Sequence, residues 1–83
     1  MYYLYVLKSQ LDGELYIGYT GNLKNRLYQY QNGEVLSTKT RRPLELIFYE
    51  GHRSMVDAKR RERYFKTTKG KSSLRLMLRD SLK

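Results

Sequence analysis

Two apolar, tyrosine-rich runs open the chain, Tyr2-Tyr3-Leu4-Tyr5-Val6-Leu7 and Leu15-Tyr16-Ile17-Gly18-Tyr19-Thr20, and both read as short β-strands. Between them Asp12-Gly13 is a strong hairpin-turn signal. A loop of two or four residues gives odd register sums. Tyr3, Tyr5 and Leu7 then share a face with Tyr16, Gly18 and Thr20, while Tyr2, Leu4 and Val6 share the other with Leu15, Ile17 and Tyr19. One face is mostly aliphatic. The other carries tyrosine hydroxyls beside a glycine, a gap through which a polar ligand can approach backbone.

Farther on the period changes. Leu23, Leu27 and Tyr30 recur at helical spacing over residues 22–32, with Thr20 or Asn22 placed to cap the start and Gly33 the end. Arg26 borders that apolar stripe instead of pointing straight out. Residues 33–43 are polar and basic without periodicity and read as a loop. Pro43 precedes a third strand, Leu44–Tyr49, and Gly51-His52-Arg53 reads as a break. Ser54 and Asp57 resemble a capping box for a helix running to about Phe65. On its stripe of Met55, Ala58 and Phe65 the remaining position is Glu62, an acid where the pattern calls for leucine. After a basic turn around Gly70, a last helix from about Ser72 turns Leu74, Met77, Leu78 and Leu82 inward, with Arg75 and Arg79 outside.

At 83 residues the chain is expected to form one domain, residues 1–83. It has no cysteine, so neither a disulfide-linked partner nor a thiolate metal site is open to it. The first apolar run ends at Lys8, too short for a signal peptide or membrane span, which makes cytoplasmic residence without membrane contact the default expectation. The formal charge is +9 and unevenly spread. Residues 1–50 hold six Lys/Arg against five Asp/Glu, and residues 51–83 hold eleven against three. That asymmetry points to a polyanion, nucleic acid, approached through the C-terminal half; the bland alternative is a solvated basic surface. Lys39, Arg41 and Arg42 in the loop, and Arg60, Arg63, Lys66, Lys69 and Lys71 beyond it, are the candidate contacts.

Of the eight acids, seven have ordinary places in turns, caps, loops or strand edges. Glu62 alone sits on an apolar stripe, where an ionised carboxylate is costly unless paired or metal-bound. An internal salt bridge, to Arg26 or another base, or an edge-of-core glutamate reaching water, explains it as well as a metal does. His52, the lone histidine, reads as an exposed loop residue. Tyr2, Tyr19, Tyr28, Tyr49 and Tyr64 are assigned to packing. A carboxylate can hold Mg²⁺ together with waters and phosphate oxygens, an arginine suits a phosphate, and a tyrosine can activate water when cations assist.

Nearly the whole chain resembles the GIY-YIG nuclease superfamily, in particular its small stand-alone members. Tyr3-Leu4-Tyr5 is loosely similar to the first tripeptide and Tyr16-Ile17-Gly18 matches the second. Asn22-Leu23-Lys24-Asn25-Arg26-Leu27 resembles the helix bearing the family arginine. Ala58-Lys59-Arg60-Arg61-Glu62 with Lys66 resembles the segment bearing its metal-binding glutamate. Tyr3 stands where the first motif has glycine, and Tyr30 where many members have histidine. The resemblance implies an α+β fold, a small central antiparallel three-stranded sheet flanked by helices. It also implies hydrolysis of DNA, in preference to RNA, with Mg²⁺ or Mn²⁺. By position, Tyr5 and Tyr16 would activate or orient water, Arg26 would clamp phosphate, and Glu62 would hold the metal. A nucleic-acid-binding module of the same fold, with little or no cleavage, stays open as the alternative.

Overall fold

A computed structural model describes all 83 residues. Strands β1 (Tyr2–Ser9), β2 (Leu15–Thr20) and β3 (Leu44–His52) form one antiparallel sheet in the order β2-β1-β3. Central β1 buries Leu4, Tyr5, Val6 and Leu7 in succession, the pattern of a strand covered on both faces. Tyr3 pairs with Thr20, Tyr5 with Gly18 and Leu7 with Tyr16, so the two faces expected from the odd register are the ones formed. At the turn, Gly13 takes a φ of 74° and Ser9, fully buried, gathers the loop. Its Oγ accepts the N–H groups of Leu11 and Asp12 and donates to the Arg41 carbonyl at 2.6 Å. The Glu14 N–H donates to Asp12 at 2.8 Å and, with Ser9 and Arg41 nearby, holds that carboxyl below its ordinary range.

The two faces receive different covers. Leu4 and Val6 pack with Phe65 of α2 (Met55–Phe65) and with Leu74 and Leu78 at α3 (Thr68–Met77). Tyr5 and Leu7 pack with Leu44 and with Tyr30 of α1 (Leu23–Gln31). Each such buried side chain contributes roughly 1.5–3 kcal/mol of apolar burial. The result is an α+β fold of three layers, α1 on one face and α2 with α3 on the other.

Asn22 caps α1, its side chain accepting the Asn25 N–H at 3.0 Å, and Ser54 caps α2 through the Val56 N–H. The reciprocal half of the expected capping box does not form, because Asp57 turns to Arg60 at 2.9 Å. Other expectations are corrected. Within the supposed loop, Leu36–Arg41 winds into a 3₁₀ turn, tied down by the buried Thr38 and by Ser9. Strand β3 does not break at Gly51 but pairs Gly51 with Tyr3 and His52 with Tyr2, and an extra residue at Ile47 makes a bulge. Helix α3 starts four residues early, at Thr68, with Thr67 accepting the Gly70 N–H. Gly70 is therefore helical: a Cβ there would collide with the Tyr64 carbonyl oxygen, so its absence is what lets α3 approach α2. Met55 and Met77, placed inside by periodicity, are 47% and 46% exposed at outer helix ends. Tyr28 and Tyr49, assigned to packing, are exposed as well.

Candidate active site

The outer edge of β2 has no strand beside it, and there α1 from one face and α2 with α3 from the other leave an open cavity of roughly 440 Å³. Tyr5, Tyr16, Arg26 and Glu62, supplied by β1, β2, α1 and α2, all line it. Of the eight basic candidates for nucleic acid, Lys66 and Lys71 reach its walls. Lys39, Arg63 and Lys69 are exposed elsewhere, while Arg60 pairs with Asp57 in a separate concavity. Arg41 and Arg42 are largely tied to their own chain, Arg41 to Asp12 at 3.4 Å and Arg42 to the carbonyls of Lys39 and Gln31.

Tyr5 is the hub. Pairing opposite Gly18 lets its ring cross the space a side chain would take: a Cβ on Gly18 would strike the Tyr5 ring and hydroxyl. The gap expected on this face is thus filled from within. The Tyr5 hydroxyl lies 2.9 Å from that of Tyr30 and accepts the Arg26 Nε–H at 3.2 Å. Burial first, then the bond to Tyr5, pushes the Tyr30 hydroxyl well above its ordinary 10.0. Tyr30 therefore keeps its proton and can donate it to Tyr5, whose oxygen then receives two donors. The bond to Tyr5 raises the Arg26 pKa, and Arg26 has no acidic partner: its Nη1 donates to Gln29 at 3.0 Å and its guanidinium lies 5.2 Å from the Tyr30 ring centre. Half-buried Tyr16 makes no hydrogen bond through its hydroxyl to the protein.

Glu62 is less deeply set than its stripe implies. Ala58 and Phe65 are fully buried, but the Glu62 side chain is 19% exposed and opens into the cavity. Its partner is not Arg26 but Lys66, at 3.5 Å one helical turn on. Glu62 is the sole acid among the cavity walls, against Arg26, Lys66 and Lys71. The protein has no cluster of three metal-ligating side chains. One carboxylate facing an open, water-accessible cavity fits an ion that completes its shell with waters and substrate phosphate oxygens.

The site also depends on residues that sequence reasoning passed over. Glu50, read as a strand end, accepts the Arg61 Nε–H at 2.6 Å, and His52, read as exposed, approaches the same oxygen at 3.2 Å. Arg61 further stacks 4.4 Å over the Phe65 ring. The residue beside Glu62 is thereby moored to the sheet. Simple alternation from Leu44 and Leu46 would have put Glu50 on the α1 face; the bulge at Ile47 carries it to the α2 face opposite Leu4, and nothing in the sequence marks that bulge. Tyr30 was marked by its helical spacing and by standing where many family members have histidine, but its bond to Tyr5 required the fold.

Three comparisons bear on this arrangement. The family model for the GIY-YIG catalytic domain matches residues 1–75. A UPF0213 protein of Staphylococcus saprophyticus is 34% identical over 77 residues, covering 92% of this chain and 93% of the relative. Another, from Pediococcus pentosaceus, is 35% identical over 82 residues, covering 98% and 85%. One from Bacillus pumilus is 42% identical over 67 residues, covering 80% and 67%. No solved structure matches.

Proposed function

The chain belongs to the GIY-YIG catalytic domain family, a family of nucleases, and from that premise we propose that it is a single-domain endonuclease that hydrolyses DNA with Mg²⁺ or Mn²⁺. The observation that carries this reading is the convergence of Tyr5, Tyr16, Arg26 and Glu62 on one cavity from four different elements. Binding alone requires no carboxylate among cations.

In this account the substrate phosphate lies against Arg26, which donates to its oxygens and meets the charge that grows there as water attacks. Tyr5 positions Arg26 through the bond at Nε. The Tyr16 hydroxyl, free of protein partners, orients the water and, once ionised, takes its proton. A new bond forms from the water oxygen to phosphorus, the bond to the sugar oxygen breaks, and that oxygen is protonated from solvent. Glu62 would hold the divalent ion, which when bound supplies Lewis-acid stabilisation of the phosphate. Lys66 and Lys71 extend the positive wall toward the adjoining backbone. Structured or damaged DNA is the proposed target class.

Phenylalanine variants test the division of labour. Tyr16→Phe should lower turnover by roughly 10²–10⁴ with DNA affinity unchanged, and should remove a rise in rate with pH above neutrality. Tyr5→Phe should slow cleavage but leave that pH dependence in place. Equal wild-type rates in both variants would refute the tyrosine roles. Absence of wild-type cleavage on duplex, branched and single-stranded DNA with either ion would favour the binding-module reading.

A further inference from the structure

Glu62 and Lys66 lie one turn apart on α2 and at its end, with the carboxylate N-terminal to the ammonium, the better order for such a pair. Lys66 is the only partner of Glu62, yet its side chain is 54% exposed and sits on a flexible four-carbon stem. Arg26 cannot take its place, being held by Tyr5 and Gln29. The cavity sets three cations against one acid, so a divalent ion arriving alone would add charge to a space already positive. A nucleic-acid phosphate reverses that balance and offers the ammonium a second anion within the same walls.

We propose that Lys66 is a built-in stand-in for the metal. In the free protein its ammonium neutralises Glu62; when nucleic acid and ion arrive together it leaves the carboxylate for the phosphate. The inference rests on Glu62 being the ion's ligand, as proposed above. An exposed pair of this kind is weak, so a doubly charged ion can displace it once phosphate is present. Ion and nucleic acid then bind with positive coupling, and each strengthens the other by the same factor. The free protein holds Mg²⁺ or Mn²⁺ poorly, and the site assembles on its substrate.

The test is Mn²⁺ binding by calorimetry to the full chain, with and without a phosphorothioate DNA oligonucleotide. Without DNA, Lys66→Gln should bind Mn²⁺ roughly three- to ten-fold more tightly than wild type, because both the competing contact and a nearby like charge are gone. Lys66→Arg should stay close to wild type. Lys71→Gln removes an equal charge from the same cavity without touching Glu62 and should tighten Mn²⁺ less than about two-fold. DNA should tighten Mn²⁺ binding more for wild type than for Lys66→Gln. Equal affinity of Lys66→Gln and wild type, or an equal gain in Lys71→Gln, overturns the stand-in role. Glu62→Gln separates the two readings. If it still binds Mn²⁺ like wild type in the DNA complex, Glu62 is not the ligand and the functional reading falls as well. If it loses Mn²⁺ while Lys66→Gln behaves as wild type, only the stand-in is refuted.

Discussion

Tyr30 illustrates how one buried hydroxyl sets the state of its neighbours. Its ring packs on Tyr5 with centroids 5.8 Å apart, and its hydroxyl is held protonated beside the Tyr5 oxygen. Losing that hydroxyl in Tyr30→Phe should cost about 1 kcal/mol near neutral pH, the usual net worth of a buried hydrogen bond. The cost should depend on pH. Because the folded value is raised above the ordinary 10.0, the Tyr30 contribution is present in full below that pH. It is withdrawn as pH rises from there, since the unfolded chain releases the proton first. Urea unfolding of both proteins from pH 8 to pH 11 checks this. The stability gap should narrow at the alkaline end; a constant or widening gap would contradict it.

Among the elements, the contact between α2 and α3 matters most to the site, because α2 presents Glu62 and Lys66 and α3 presents Lys71. Gly70→Ala would drive a methyl group into the Tyr64 carbonyl, a backbone atom with no easy retreat. We expect a loss of about 1–3 kcal/mol and a fall in Tm of roughly 5–20 °C. Gly21→Ala, where a Cβ meets only ordinary contacts with Tyr2, should melt near wild type. Equal melting of the two variants would contradict the close approach. The elements differed in how much of them could be read beforehand. The hairpin was legible because Asp12-Gly13 and a period of two agree, and α1 because Asn22 and Gly33 bracket its leucines. The 3₁₀ turn was not, since Ser9, which holds the Arg41 carbonyl, lies in a distant part of the chain, and the burial of Thr38 shows only in the fold. Gly51 and Gly70 misled for one reason: a glycine marks either a break or a close approach. What decides is a contact made only in the fold, with Met1 and Tyr3 for Gly51 and with the Tyr64 backbone of the preceding helix for Gly70. Glu62 stood out as an acid on an apolar stripe, but its partner Lys66 and the mooring by Glu50 and Arg61 required the fold.

At the scale of the whole molecule, the chain carries a formal +9, and a nuclease fold leaves an open cavity beside the unpaired outer edge of β2. Affinity for DNA should fall linearly with salt on logarithmic axes, by about 0.7–0.9 per phosphate neutralised, and Lys66→Gln or Lys71→Gln should each shallow that slope by about one contact. A flat dependence would remove the polyanion from the account. The central claim is that Glu62 makes this cavity a metal-assisted hydrolytic centre and not merely a binding groove. Its most direct test is the cleavage rate of labelled DNA by wild type and Glu62→Gln, with Mg²⁺ or Mn²⁺ and with a chelator, alongside binding and melting of each. Wild type should cleave only with the ion present. Glu62→Gln should lose at least about 10²-fold in rate while binding DNA as well as wild type and melting near it, since Glu62 is paired only with an exposed lysine. Cleavage by Glu62→Gln at the wild-type rate, or by wild type in excess chelator, would contradict it.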